Sequence, residues 1–191
     1  MKIDKILEFT KKAHEGQFRN DRKTPYIIHP ISVCSWLYIL GLTTNSKDEE
    51  LQYRDYVIYA VALMHDILED TKVTEQQVID ASNNTIFDMV DTLTCKENID
   101  NPFYKIDYLQ KIINSNNDEV FFIKCVDKLC NVHDFIDGGN EKYAKIYFHK
   151  ADCLWNEVYN RYSMSLISQQ KYGKLWNEVK KLNERFHSEK G

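Results

Sequence analysis

The sequence predicts an all-α protein, and three observations carry that prediction. Only 6 Gly and 3 Pro occur in 191 residues, too few turn formers for a β-rich chain. Apolar residues recur at helical spacing in segment after segment. The stretch Val120-Phe121-Phe122-Ile123-Lys124-Cys125-Val126 passes for a buried strand on propensity alone, but its polar positions decide for a helix. Lys124, Asp127, Lys128 and Asn131 stand at i, i+3, i+4 and i+7 as one stripe, with Phe122, Val126, Leu129 and Cys130 on the other side. Such a stripe faces either solvent or an internal site.

The elements run in this order. Ile3, Ile6, Leu7, Thr10, Ala13 and His14 mark a first helix that stops at Gly16, and His14 and Gln17 are placed to position that helix and the connector after it. This basic connector runs Arg19-Asn20-Asp21-Arg22-Lys23-Thr24. Pro30 is expected to open the helix that Gly41 ends, leaving His29 at its N-terminal edge. Residues 43–54 are polar, and an apolar helix is predicted over 56–68. Thr74-Glu75-Gln76-Gln77 has the form of a capping box and starts a helix through Ile79, with Ile86, Met89, Val90 and Leu93 continuing its apolar face. Residues 98–102 read as a loop, 104–113 and 120–135 as helices, and 142–162 and 166–186 as two long amphipathic helices. Trp36, Trp155 and Trp176 fall at helical positions as core or interface anchors, and His133, His149 and His187 take surface or packing roles.

This length fits one domain, 1–191, with a motif-bearing core over about 3–148 and C-terminal helices over about 142–188. The balance of 25 Lys and Arg against 29 Asp and Glu gives a net charge of −4, which argues against a nucleic-acid or membrane-surface binder. A small anionic substrate remains compatible where the basic residues concentrate. Five cysteines, odd in number and without a C-x-x-C pair, suggest neither a disulfide framework nor a thiolate zinc site. No segment approaches the roughly 20 apolar residues of a membrane span, and the N-terminus is amphipathic rather than signal-like. The expected location is the cytoplasm, and a homo-oligomer is left open.

The chemistry concentrates in Leu63-Met64-His65-Asp66-Ile67-Leu68-Glu69-Asp70-Thr71. If this run is one helix, at about 100° per residue, then His65, Asp66, Glu69 and Asp70 share an arc of roughly 140°. An imidazole and three carboxylates on one face suit a divalent Mn, Fe, Zn or Mg ion and a water whose proton a carboxylate takes. Asp127 lies on a second apolar helix and His29 at a helix start, so His29, His65, Asp66 and Asp127 make a mixed N/O ligand set that leaves positions for water and substrate. The alternatives are a hydrogen-bonded His65-Asp66 pair capping a core helix, a solvated helix end at Glu69 and Asp70, and an exposed stripe at Asp127 and Asn131.

Four stretches, in order, carry a family resemblance: His14-Glu15-Gly16-Gln17-Phe18-Arg19, Pro25-Tyr26-Ile27-Ile28-His29-Pro30, Ala62 followed by the run just given, and Ile123-Lys124-Cys125-Val126-Asp127-Lys128-Leu129-Cys130-Asn131. With them the sequence resembles the HD-domain metal-dependent phosphohydrolases, and among these the RelA/SpoT-type (p)ppGpp hydrolases, especially the small stand-alone alarmone hydrolases. The resemblance implies an all-α HD-type helical bundle around one Mn²⁺ held by His29, His65, Asp66 and Asp127. It implies Glu69 and Asp70 beside the attacking water, and hydrolysis of a ribose 3′-pyrophosphate to GDP or GTP and pyrophosphate. It further implies Arg19 near the guanine base, Lys124 and Asn131 near the nucleotide, Tyr147 as the downstream aromatic, and Lys23 as a candidate for phosphate charge. The 191 residues leave no room for the synthetase and regulatory domains of long RelA/SpoT proteins, so the implied activity is hydrolytic only. The chain departs from the family pattern at Asn20, where a basic residue is usual, before Pro25, where a glycine is absent, at His133, where arginine is frequent, and in extra polar sequence between Gly41 and Tyr56. These departures keep open another phosphorylated nucleotide as substrate, or a non-catalytic nucleotide-sensing module.

Overall fold

A computed structural model describes residues 3–44, 46–96 and 103–187, and among them the secondary structure is helical apart from an antiparallel bridge between Phe18 and Pro25. The helices are α1 (Ile3–Ala13), α2 (Ile28–Leu40), α3 (Glu49–Met64), α4 (Ile67–Asp70), α5 (Glu75–Ala81), α6 (Asn84–Leu93), α7 (Tyr104–Ile113), α8 (Asp118–Asp137), α9 (Glu141–His149), α10 (Asp152–Ser163) and α11 (Leu166–His187). The loop expected over 98–102 lies outside the described residues.

Short polar side chains set most helix starts by accepting a backbone N–H that has no partner within its helix. Asp48 accepts from Leu51, Asn83 from Ile86, Asn117 from Val120 and Asn140 from Tyr143. The capping box at Thr74 and Gln77 forms as expected. Gly41 ends α2 with φ 86°, a left-handed conformation that a side chain disfavours.

Four boundaries correct the sequence reading. α2 begins at Ile28, two residues before Pro30, because a proline in the first turn forfeits an N–H that would have no helical acceptor. α3 begins at Glu49 rather than at 56, since its Asp48 cap outweighs the lack of apolar periodicity in its exposed first turns. The helix predicted from the capping box divides at Ser82 and Asn83 into α5 and α6. The long segment over 142–162 divides at Lys150 and Ala151, where the Trp155 indole N–H donates to the Phe148 carbonyl at 2.9 Å and takes an acceptor the continuing helix would use.

At the centre is α8, packed against α2, α3, α6, α7 and α9. Every residue from Val120 to Val126 is buried, as on a helix surrounded by others, and so is Asp127. The polar stripe of α8 therefore points inward, with Lys124 and Asp127 among the buried charged residues. α1 and α2 flank α3, and the α10–α11 pair reaches the core through α7 and through Arg161, which donates to Asp118 at 2.6 Å and lies 4.0 Å from the Phe121 ring. Trp155 is buried, Trp176 packs on Tyr159, and Trp36 stacks on His133. The remaining histidines do find partners: His133 meets Glu178, His149 meets Asp152, and His187 meets the Asn183 carbonyl. The five cysteines form no disulfide, and no described helix is long and apolar enough to cross a membrane.

Candidate metal centre and active site

The run from Leu63 to Thr71 is not one helix. His65 closes α3, and Asp66, at φ −104° and ψ 0°, makes the turn into α4. The four ionisable residues consequently part: Asp66 turns to the histidines, Glu69 accepts the Cys95 N–H at 3.0 Å, and Asp70 faces Tyr26. The expected single face of one imidazole and three carboxylates does not form.

What forms instead is a centre drawn from three places in the chain. His29, in the first turn of α2, directs Nε2 to within 3.1 Å of Asp127 Oδ1 on α8 and 3.7 Å of Asp66 Oδ2. His65 Nε2 stands 3.0 Å from Asp66 Oδ2 and 3.6 Å from Asp127 Oδ1. His29, His65 and Asp127 each offer a ligand atom within 4.8 Å of the others. Ligands about 2.1 Å from one octahedral ion stand about 3 Å apart when adjacent, and these four separations begin at that value.

The hydrogen bonds support the same assignment. The Nδ1–H of His65 donates to the Ala62 carbonyl at 2.7 Å, which leaves the Nε2 lone pair directed into the cluster, where that buried nitrogen has no hydrogen-bond partner. Nitrogen and carboxylate lone pairs that converge at this range repel unless a proton, as in the 3.1 Å hydrogen bond between His29 and Asp127, or a cation lies among them, and the donor set fits a divalent metal. Charge points the same way. Burial opposes protonation of His65, yet the charges of Asp66 and Asp127 outweigh it and push the imidazole up to about 10, so the two carboxylates draw a positive charge to this nitrogen, a proton where no ion is bound. Burial would raise both aspartates, but His65 holds Asp66 below the usual carboxylate range and Lys124, with both histidines, holds Asp127 well below it.

Other side chains orient the cluster. Lys124, buried on α8, places Nζ 2.9 Å from Asp127 Oδ2, so one carboxylate oxygen meets the lysine while the other meets the histidines. Asn131 donates to Asp127 Oδ1 at 2.7 Å and accepts from Arg19, which also pairs with Asp134 at 2.5 Å and lies over the Tyr26 ring. The Tyr26 hydroxyl is 2.6 Å from Asp66 Oδ2 and 2.8 Å from Asp70 Oδ2, while its ring stacks on His14. Gln17 ties this corner together by contacting His14 and donating to the Asp70 carbonyl.

Of the sequence candidates, His29, His65, Asp66 and Asp127 meet directly, and Lys124, Asn131, Arg19 and Asp70 join them through one or two contacts. Tyr147 accepts a hydrogen bond from Lys128 at 3.0 Å. Glu69 turns toward a cavity of about 450 Å³ that Cys95, Tyr104 and Lys105 also line, and partial burial raises its pKa above the usual glutamate value. Lys23 lies exposed on the connector and is absent from the walls of the cavity beside His29, about 290 Å³, to which Arg19, Asn20, Ser32, Asp134 and Phe135 contribute. Neither Tyr26 nor Lys128 was singled out by the sequence reading. Both had a signal: Tyr26 lies in the Pro25-to-Pro30 stretch and Lys128 in the α8 polar stripe.

With this geometry in view, comparison with known proteins is specific. A family model described as "HD domain" matches residues 7–162, a span that contains all four candidate ligands. The guanosine-3′,5′-bis(diphosphate) 3′-pyrophosphohydrolase of Borreliella burgdorferi is 29% identical over 135 residues, 68% of this chain and 18% of its own length. Its namesake from Aquifex aeolicus is 28% identical over 146 residues, 75% of this chain and 19% of its own. The chain thus spans about a fifth of these two relatives. The Xenopus tropicalis protein named guanosine-3′,5′-bis(diphosphate) 3′-pyrophosphohydrolase MESH1 is 27% identical over 154 residues, 76% of this chain and 80% of its own. A solved structure, described as a metazoan ortholog of SpoT that hydrolyses ppGpp and plays a role in starvation responses, superposes with a TM-score of 0.74 at 20% identity. That match covers 96% of this chain and 94% of the other, and the two share a fold.

Proposed function

The chain belongs to the HD domain family, and from that premise we propose that it is a metal-dependent (p)ppGpp 3′-pyrophosphohydrolase of the cytoplasm whose helices act as one hydrolase domain. The observation that carries this reading is the convergence of His29, His65, Asp66 and Asp127, with separations from 3.0 to 3.7 Å, inside the span matched by the family. These four residues hold the ion, with Mn²⁺ the expected species. A divalent ion bound there lowers the pKa of water and neutralises phosphate charge.

The chain's own groups account for the rest. Water adds to the phosphorus esterified to the ribose O3′, the P–O3′ bond breaks, and the products are GDP or GTP and pyrophosphate. Glu69 and Asp70 orient the water and take its proton, a role that the raised pKa of Glu69 favours. Lys124 and Asn131 hold Asp127 in register. Arg19, clamped by Asn131 and Asp134 over the Tyr26 ring, presents a flat guanidinium for a purine base to stack on. Tyr147 with Lys128, and Lys23 from the connector, supply contacts to phosphate oxygens.

The test is to mix the purified chain with Mn²⁺ and ppGpp and look for GDP and pyrophosphate, with Mg²⁺ and Zn²⁺ in parallel. Binding without turnover overturns the enzyme reading. A second substrate, another phosphorylated nucleotide, is kept in view by Asn20, an uncharged residue in the wall of the cavity beside His29 where the resemblance leads one to expect a basic side chain. Faster turnover of that nucleotide than of ppGpp selects it.

A further inference from the structure

We propose that Asp137, at the end of α8, reads the hydrogen-bonding edge of the substrate's base and selects guanine over the other common bases. This deepens the reading given above and rests on its placement of the nucleotide, with Arg19 as the stacking plane. The cavity beside His29 is where such a base fits. It measures about 290 Å³, at the small end for a ligand pocket, so it has room for a base while the phosphates stay at the metal centre. His29 joins the two places, since it lines the cavity and also meets Asp127 at 3.1 Å. Ile28 and Phe135 give the cavity apolar wall, and Arg19 gives it a flat cation.

Three carboxylates stand in that wall, and two are already committed. Both oxygens of Asp21 hold the turn of the connector: Oδ1 accepts the N–H groups of Lys23 and Thr24 at 2.8 and 2.9 Å, and Oδ2 accepts the Thr24 hydroxyl at 2.6 Å. Asp134 spends Oδ2 on Arg19 at 2.5 Å and so cannot offer a pair of acceptors. The Asp137 side chain makes no hydrogen bond or ion pair among the described residues, which leaves both of its oxygens open. Local structure gives no reason for an acid at this position. Asp137 is the last residue of α8, where unpaired carbonyls carry partial negative charge, and no basic residue in the last turn offsets it. An acid that stands against local preference in the wall of a cavity is the kind of departure that marks a functional position.

The chemistry of a carboxylate then names the base. An ionised carboxylate only accepts hydrogen bonds, and it accepts two side by side. Among the common bases, guanine alone offers two adjacent donors on one edge, N1–H and the N2 amino group. Adenine and cytosine set one donor beside an acceptor, and uracil sets one donor between two carbonyls. A carboxylate therefore gains a paired, charge-assisted contact with guanine and meets a repelling lone pair on adenine, so it rejects as well as selects.

Isothermal titration calorimetry of the full chain with GDP, IDP and ADP reads the base preference without turnover. IDP keeps N1–H and lacks only the amino group. Wild type should bind GDP about 10- to 100-fold more tightly than IDP, the range for one hydrogen bond to a charged group, and ADP more weakly still. Asp137→Asn should lower GDP affinity by about the same factor and hold or tighten ADP, because an amide pairs its carbonyl with the adenine amino group and its N–H with adenine N1. Removing an acid from a helix C-terminus should leave the melting temperature unchanged or higher, so a melting curve separates lost recognition from lost folding. A wild type that binds GDP no better than IDP overturns the proposal, and so does an Asp137→Asn chain that keeps the wild-type ratio of GDP to ADP affinity. The hydrolase reading is judged apart from this. Guanine preference with no pyrophosphate released from ppGpp removes that reading and keeps the role of Asp137, whereas ppGpp hydrolysis by a chain indifferent to the base does the reverse.

Discussion

The Tyr26 hydroxyl stands 2.6 Å from Oδ2 of Asp66, a candidate metal ligand, and the same oxygen is 2.8 Å from Oδ2 of Asp70, a candidate catalytic carboxylate. A phenol has one proton to donate, so it serves one carboxylate at a time, and the position of either acid depends on the other. Tyr26 also stacks on His14 and lies beneath Arg19, which makes it the joint between the centre and the connector.

Tyr26→Phe keeps the ring and removes only that joint. Metal affinity is expected to fall by about 10- to 100-fold, the range for losing a partner that orients a ligand. Under saturating metal, kcat should fall while KM changes little. Metal titration and steady-state kinetics measure the two effects separately, and wild-type values in both would remove the coupling assigned to Tyr26.

Asp66→Asn and Glu69→Gln should separate the two kinds of carboxylate. The first removes a candidate ligand, and bound metal and turnover should disappear together. The second leaves the four-residue donor set intact, so metal stoichiometry should stay at wild-type level while turnover slows by about 10²- to 10⁴-fold. A fully active Glu69→Gln would take the proton-transfer role away from that residue.

Lys124→Met should be among the most destabilising substitutions in the chain. Both Lys124 and Asp127 have side chains about one-twentieth exposed, and removing the lysine leaves a buried carboxylate oxygen without its cation. The expected loss is about 3–5 kcal/mol, measured as a lower urea midpoint. A midpoint close to wild type would mean that Asn131 and the histidines suffice to hold Asp127.

Acid should weaken the attachment of the α10–α11 pair. Burial of Asp118 would raise its pKa, but Lys171, Tyr172 and Arg161 outweigh it and hold the carboxyl below its ordinary 3.8. A depressed folded-state pKa contributes stability that is present above the unfolded value and lost as pH falls through the folded one. The stability gap between wild type and Asp118→Asn should therefore be open at pH 7 and close as pH drops below about 4. Thermal melts at both pH values test this, and a gap unchanged by acid would show that charge on Asp118 is not what matters.

The helical class, the span Tyr104–Ile113, the capping box at Thr74 and the polar stripe of α8, though not its inward direction, were legible in the chain, because each depends on residues no more than a turn or two apart. So were the identities of His29, His65, Asp66 and Asp127, which the order of the motifs brings out although 98 residues separate the first from the last. What distance along the chain hides is geometry. Tyr26 meets Asp66 across 40 residues and Arg19 meets Asn131 across 112, and no periodicity carries such contacts. The turn at His65 was hidden for a related reason. Helical spacing runs straight through it, but the bond from His65 to Ala62 and the contacts of Asp66 with His65 and His29 accompany the close of α3 there. By itself, then, the sequence determined the class of the fold, which composition and local periodicity encode, and, through the order of its motifs, the chemical types that meet at its centre. Only the tertiary structure decided that Asp66, Glu69 and Asp70 face three different neighbours. That outcome depends on how helices distant in sequence pack on α8.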